Sequence, residues 1–220
     1  MKKRIKNTLA LTITLAVIVS CSTTKSLEKG YTSLFNGKDL SGWVGNKTSY
    51  TVKNGEIVVA PTEGTGGGKL LTVKEYSNFV LRFEFQLTPG ANNGLGIHAP
   101  LEGDAAYQGK ELQILDNTAE KYKDLKPYQY HGSVYGLMPA KRGYLKPTGQ
   151  WNLQEVYVNG PKFKVILNGT VILDVNINQA TKDGTMDGNS HPGLQKTKGH
   201  IGFLGHGDKL KFRNISIKEI

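Results

Sequence analysis

The sequence predicts an all-β fold, a two-sheet antiparallel sandwich, and three observations carry that expectation. Short β-prone runs recur along the chain while helical periodicity is scarce. Asn-Gly pairs punctuate those runs at Asn54-Gly55, Asn159-Gly160 and Asn168-Gly169, the strongest short-range hairpin signal. The chain also holds 27 glycines, enough to supply the many tight turns that a sandwich of short strands requires.

Taken in order, Tyr50–Val59 (YTVKNGEIVV) is a hairpin turning at Asn54-Gly55. Phe79–Leu87 alternates Phe79, Leu81, Phe83, Phe85 and Leu87 against Val80, Arg82, Glu84 and Gln86, a strand with one strongly buried face. Pro89-Gly90 turns the chain into NNGLGIHAP. Val156–Val158 and Phe163–Leu167 flank a second turn, and Val165–Leu167 pairs with Val171–Val175 through Asn168-Gly169. The chain closes on His200–Leu204 and Leu210–Ile220, with Phe212, Ile215 and Ile217 as core anchors. One helix is expected around Ala119–Lys126, limited by Pro127. Two polar insertions, Asp116–Gln129 and Asn178–Lys198, have the size of loops that surround a site, with disorder the competing explanation for the second. The glycine run Gly64–Gly68 lacks the spacing of a phosphate-binding loop and reads as a surface loop.

Residues 1–20 stand apart. Lys2, Lys3, Arg4 and Lys6 precede an apolar run from Leu9 to Val19, the pattern of a secretory signal peptide. Ile18-Val19-Ser20-Cys21 resembles a bacterial lipobox, which implies that Cys21 is the lipidated N-terminus and a membrane anchor. Cys21 is the chain's one cysteine, so no disulfide can form within it. Residues 21–30 form a polar tether, and 31–220 a single domain. The absence of an acidic cluster after Cys21 points to the periplasmic side of a bacterial envelope. Removing residues 1–20 takes away four basic groups and no acidic ones, so the formal charge falls from +10 to +6. The remaining lysines are scattered and form no basic stripe with interleaved aromatics, which argues against nucleic acid as a partner.

Three stretches carry the candidate site. In YQGKELQILDN, Leu112 and Ile114 point one way while Glu111 and Gln113 point the other. In Gly94–His98, Leu95 and Ile97 oppose Gly94, Gly96 and His98. If His131–Tyr135 is extended, His131, Ser133 and Tyr135 oppose Val134. Three strands with an apolar face and a small or polar opposite face suit a curved sheet whose concave side binds sugar, the glycines leaving room for the ligand. Ordinary solvated outer faces are the competing explanation. His206, flanked by glycines between two late strands, is free to reach into such a cleft. No His-x-His or HExxH spacing signals a metal, and Ser133 has no nucleophile-elbow context.

Together, FNGKDLSGW at 35–43, the NNGLGIH run, GKELQILDN, SVYGLMPA, KPTGQWN at 146–152, VILNGTVILDV and the ending IGFLGHGDKLKFRNISIKEI resemble the 3-keto-disaccharide hydrolase family, in order and over nearly all of residues 35–220. The resemblance departs at His98, where many relatives carry arginine, and around His206, where only the His-Gly pair carries over. It implies a jelly roll of the concanavalin A-like lectin/glucanase type. It also implies cleavage of glycosides already oxidised to a ketone at C3: loss of the acidified C2 proton, β-elimination of the C1 aglycone, and addition of water. One base with stabilisation of the enolate oxygen suffices, unlike the carboxylate pairs of ordinary glycosidases.

The implied roles are Glu111 as base or metal ligand, His206 as second base or acid, and Tyr135 as hydrogen-bond donor to the carbonyl or leaving oxygen. Gln113 orients the sugar, with His98, His131, Ser133 and Asn152 as further binding candidates. A divalent metal on the ketone and 2-hydroxyl is compatible with this chemistry but not called for by any motif; with Glu111 as its ligand, a histidine becomes the base. The rival class is a non-catalytic carbohydrate-binding module on the same jelly roll, because fold does not settle function.

Overall fold

The computed structural model describes residues 27–220; residues 1–20, Cys21 and most of the tether lie outside them. Thirteen strands follow in order: β1 (Thr32–Ser33), β2 (Trp43–Gly45), β3 (Tyr50–Lys53), β4 (Glu56–Val59), β5 (Lys69–Thr72), β6 (Phe79–Leu87), β7 (Asn92–Ala99), β8 (Lys110–Leu115), β9 (Trp151–Asn159), β10 (Lys162–Leu167), β11 (Thr170–Asn176), β12 (His200–Gly205) and β13 (Leu210–Glu219). Two one-turn helices interrupt them, α1 (Ala105–Gln108) and α2 (Ile177–Ala180).

Every pairing is antiparallel. The larger sheet runs β11-β10-β9-β6-β13-β4-β3, with β1 added against β13, and the smaller runs β2-β5-β12-β7-β8. The result is the expected two-sheet jelly-roll sandwich. Asn54 and Gly55 both take positive φ, 53° and 77°, and Asn168 and Gly169 take 50° and 87°. These values match the primed turns whose twist suits a hairpin.

The core lies between the sheets. On β6, Phe79, Leu81, Phe83, Phe85 and Leu87 all face inward and are buried. Phe203 of β12 stacks on Phe212 of β13 at 3.6 Å between centroids, and Trp43 and Phe83 each stand 5.9 Å from Phe203. This aromatic layer joins β2 and β12 of the smaller sheet to β6 and β13 of the larger. Truncating one such ring to alanine costs about 3–5 kcal/mol. Outside, Arg82 pairs with Glu155 and Glu28, both at 2.8 Å, so the larger sheet's other face is solvated.

Two expectations change. Ala119–Lys126 is not an α-helix: Glu120–Tyr122 forms one 3-10 turn and Pro127–Gln129 another. Asp116 fixes the start of this loop by accepting from Gly90 N at 2.8 Å, and Pro127 prevents continuation. Nor is His131–Tyr135 a third strand. Gly132, at φ 80°, turns the chain, and Val134 makes isolated bridges to Leu112 and Met138.

Candidate active site

The outer face of the smaller sheet forms the floor of the site. Leu112 and Ile114 point into the core, which forces Glu111 and Gln113 outward. They are nevertheless only 3% and 5% exposed, so this is no solvated face. Loops from 101–108, 116–135 and 206–208 cover it and enclose a cleft of about 300 Å³. Asn92, Asp104, Tyr107, Tyr122, Leu125, Gln129, Tyr135 and His206 line it with Glu111 and Gln113.

Gly94, opposite Gln113 in the β7–β8 pair, lies diagonally from Glu111, and a methyl group there would overlap Glu111 Oε1. The glycine therefore makes room for the carboxylate rather than directly for a ligand. Glu111 Oε1 accepts from His206 Nε2 at 3.1 Å, leaving Oε2 without a hydrogen bond among the described residues. Burial alone would lower the His206 pKa. The hydrogen bond and charge of Glu111, with the charges of Asp208 and Asp104, outweigh burial and raise it above the ordinary histidine value. The pair can thus hold a proton on His206 beside a carboxylate oriented from below.

Asn92 Oδ1 and Gln113 Oε1 are buried without a hydrogen-bond partner among the described residues. Buried polar atoms are ordinarily satisfied, and these two belong to cleft residues, where sugar hydroxyls could donate to them.

The other expected binding residues lie elsewhere. His98 should share the face of Gly94 and Gly96, but β7 bulges there: His200 pairs with Ala99 and Gly202 with Gly96. With His98 at φ 52°, the bulge reverses the alternation. The ring is buried edge-on to Phe79, with Ser77 O at 2.8 Å and Lys196 O at 3.0 Å. His131 also lies in the core, its Nε2 donating to Gln154 Oε1 at 2.9 Å while Nδ1 accepts from Leu115 N. Burial pushes its pKa down to about 4. Ser133 Oγ donates to Pro127 O and accepts from Ala140 N, a loop tie. Asn152 is buried on the larger sheet, its Oδ1 accepting from Lys146 N and Asn168 Nδ2, both at 2.9 Å. Glu111, Gln113, Tyr135 and His206 are therefore brought together, while His98, His131, Ser133 and Asn152 are structural.

Asp104 carries no sequence signal, for α1 is a single turn capped by Asp104 Oδ1 on Ala106 N at 2.9 Å. No group of three or more His, Cys, Asp or Glu side chains converges as a metal site among the described residues. Glu111 and His206 alone make an incomplete donor set for a metal.

A jelly roll whose smaller sheet carries a cleft with a buried glutamate bonded to a half-exposed histidine defines a β-sandwich with a candidate acid–base site. The chain belongs to the family described as the 3-keto-alpha-glucoside-1,2-lyase-like domain, matched over residues 30–218. A 3-keto-disaccharide hydrolase of Bacteroides thetaiotaomicron is 26% identical, covering 86% of this chain and 78% of its own. Two crystal structures of candidate glycosyl hydrolases from Parabacteroides distasonis are also similar. One is 30% identical with TM-score 0.74, covering 86% of this chain and 99% of its own. The other is 27% identical with TM-score 0.73, covering 87% and 94%. A carbohydrate-binding module of Bacillus subtilis shares the fold alone, with TM-score 0.52 at 12% identity. The chain thus stands among carbohydrate-active proteins of glycoside-hydrolase type.

Proposed function

We propose that the protein cleaves 3-keto-glycosides by elimination followed by hydration. The observation that carries this reading is the Glu111–His206 pair, 3.1 Å apart, in a cleft with two unpartnered side-chain oxygens. The ketone at C3 acidifies the C2 proton. Glu111 Oε2 takes that proton, and the electron pair of the C2–H bond first enters the enolate. That pair then forms C1=C2 as the C1–O bond breaks. His206 gives its proton to the departing oxygen, and Tyr135 donates a hydrogen bond to the C3 oxygen as charge develops there. Water then adds across C1=C2, its hydroxyl to C1 and a proton to C2, completing net hydrolysis. Gln113 and Asn92 accept hydrogen bonds from the sugar hydroxyls and fix the ring. The same two stages make sense of a family described as lyase-like whose Bacteroides relative is named a hydrolase.

The test incubates residues 22–220 with a 3-keto-glucoside and with its unoxidised parent, with and without chelator, following aglycone release. Release from the keto compound alone supports elimination, and sensitivity to chelator brings a metal into the site. Sugar binding without any turnover replaces this reading with a binding module.

Residues 31–220 act as one domain, held to the membrane by lipid on Cys21, on the periplasmic side of a bacterial envelope. No helix among the described residues is long and apolar enough to cross a membrane. Cys21→Ser moving the chain from the membrane to the soluble fraction supports the anchor; unchanged membrane association removes it.

A further inference from the structure

A second polar cluster sits directly behind the cleft wall. Asp187 and His191, from the long loop after α2, are 4% and 2% exposed in their side chains. His191 Nε2 lies 3.1 Å from Asp187 Oδ2. Asp187 also accepts from Asn189 N at 3.0 Å, from Asn189 Nδ2 at 3.2 Å and from the Tyr107 hydroxyl at 3.2 Å. Burial works to raise the Asp187 pKa, but the hydrogen bonds from Asn189 and His191 and the charge of His191 outweigh it and hold the pKa at about 2. A buried carboxylate is costly unless it is fully bonded, so these contacts fix its neighbours closely.

Those neighbours are the aromatic side of the cleft. The Tyr107 ring lies 4.6 Å from the His191 ring and meets Tyr135 edge-on at 6.2 Å and 83°. Asn189 Nδ2 donates to the Tyr107 hydroxyl at 3.3 Å. With that hydroxyl turned back onto Asp187 and Asn189, the cleft meets the ring of Tyr107 rather than its polar end. Gly136, next to Tyr135, packs on the same pair. A methyl group there would overlap Asp187 Oδ2 and stand 2.8 Å from His191 Cε1, and Asp187 N donates to Gly136 O at 3.1 Å. The pair thus fixes Tyr107 directly and reaches Tyr135 only through the backbone of its neighbour Gly136.

We propose that Asp187 and His191 are positioning residues for Tyr107, holding its ring as an aromatic ledge that receives the aglycone of the substrate, the second ring of a disaccharide. The inference rests on reading the cleft as a glycoside site. The reacting sugar is fixed at the polar floor by Glu111, Gln113 and Asn92. Its C1 substituent therefore leaves along a wall, and Tyr135 is the aromatic residue tied to Glu111, its N–H donating to Glu111 O at 2.9 Å. Rings of this kind offer the apolar C–H face of a pyranose a large surface with little conformational freedom to lose.

The test measures KM and kcat of the purified protein for 3-keto-maltose and for methyl 3-keto-α-glucoside. The variants are Asp187→Asn, Tyr107→Phe, their double mutant and Tyr107→Leu. Asp187→Asn and Tyr107→Phe each raise KM for the disaccharide roughly fivefold, leaving the methyl glycoside within twofold, and Tyr107→Leu raises it roughly tenfold. Because Asp187 acts through Tyr107, Asp187→Asn adds nothing in the Tyr107→Phe background. Independent, multiplying effects, or equal losses on both substrates, overturn the proposal. Should Asp187→Asn fail to fold, the substrate dependence of the two Tyr107 variants decides it alone. Calorimetric binding of maltose against methyl α-glucoside reads the ledge without catalysis: a preference for maltose lost in Tyr107→Leu supports it, and an unchanged preference overturns it. If neither keto-sugar turns over, that binding result still stands, so failure of the ledge and failure of the elimination chemistry are told apart.

Discussion

Glu111 on β8 reaches across β7 to meet His206 Nε2 at 3.1 Å, over a glycine whose missing side chain is the space the carboxylate occupies. Two strands and a loop thereby fix one carboxylate oxygen and leave the other without a hydrogen bond among the described residues. Replacing Glu111 by glutamine removes the base while keeping its shape. Aglycone release from a 3-keto-glucoside should fall by about 10²–10⁴-fold, with sugar binding retained within a few-fold. Undiminished release would transfer the base role to another group.

Gly94→Ala should disable the site without unfolding the sheet. Its methyl group displaces Glu111 Oε1, and a shift of about 1 Å in a catalytic group can cost 10²-fold. Gly96→Ala is the milder control, since its methyl overlaps nothing: it meets the flexible end of Leu204 at 3.2 Å and Ala99 Cβ at 3.3 Å, away from the carboxylate. Circular dichroism and turnover of both variants check the contrast; equal activities would dissociate Gly94 from the carboxylate.

His206 has its folded pKa raised, chiefly through Glu111 working against burial. Its contribution to stability is fully present below the unfolded value of about 6.5 and disappears as pH climbs through the raised folded value. The proton it gives to the leaving oxygen follows the same sign. Wild type should therefore exceed His206→Gln in Tm at pH 5.5 by more than at pH 9.5, and the alkaline limb of its kcat profile should vanish in the variant. A Tm difference that does not change with pH would contradict the pairing.

His131 behaves in the opposite sense. Burial lowers its folded pKa to about 4, so stability from the neutral ring is present above about 6.5 and lost as pH falls toward 4. The full effect is on the order of 3 kcal/mol, with buried His98, whose pKa burial also lowers, adding in the same direction. Urea midpoints between pH 7 and 4 should fall less steeply in His131→Gln than in wild type; identical slopes would remove His131 from the acid response.

Local sequence determined those parts of the protein whose cause is local. Asn54-Gly55 and Asn168-Gly169 take the left-handed backbone that a hairpin turn demands, and few residues other than asparagine and glycine accept it cheaply. The alternation of Phe79–Leu87 fixed which face of β6 is buried, and that of Glu111–Ile114 placed Glu111 and Gln113 together on the opposite side from the core. Where the cause was a partner strand, alternation misled. His98 inherits its inward direction from the bulge against β12, and nothing in Gly94–His98 itself encodes the extra residue. His131 leaves the expected strand because Gly132 turns the chain, and its ring is then captured by Gln154 of β9. Asn152 lies on β9 and faces Lys146 and Asn168 rather than a ligand.

The meeting of Tyr107 with Asp187 and His191, some 80 residues further along, leaves no periodic trace in either segment. Pattern and turn chemistry set strands, hairpins, one polar face and the family resemblance, since each depends on neighbours in sequence. Sheet pairing and loop packing alone decided that Glu111 meets His206 and that a buried carboxylate stands behind the tyrosines. Those contacts join distant segments, and their free energy exists only once the chain has closed around them.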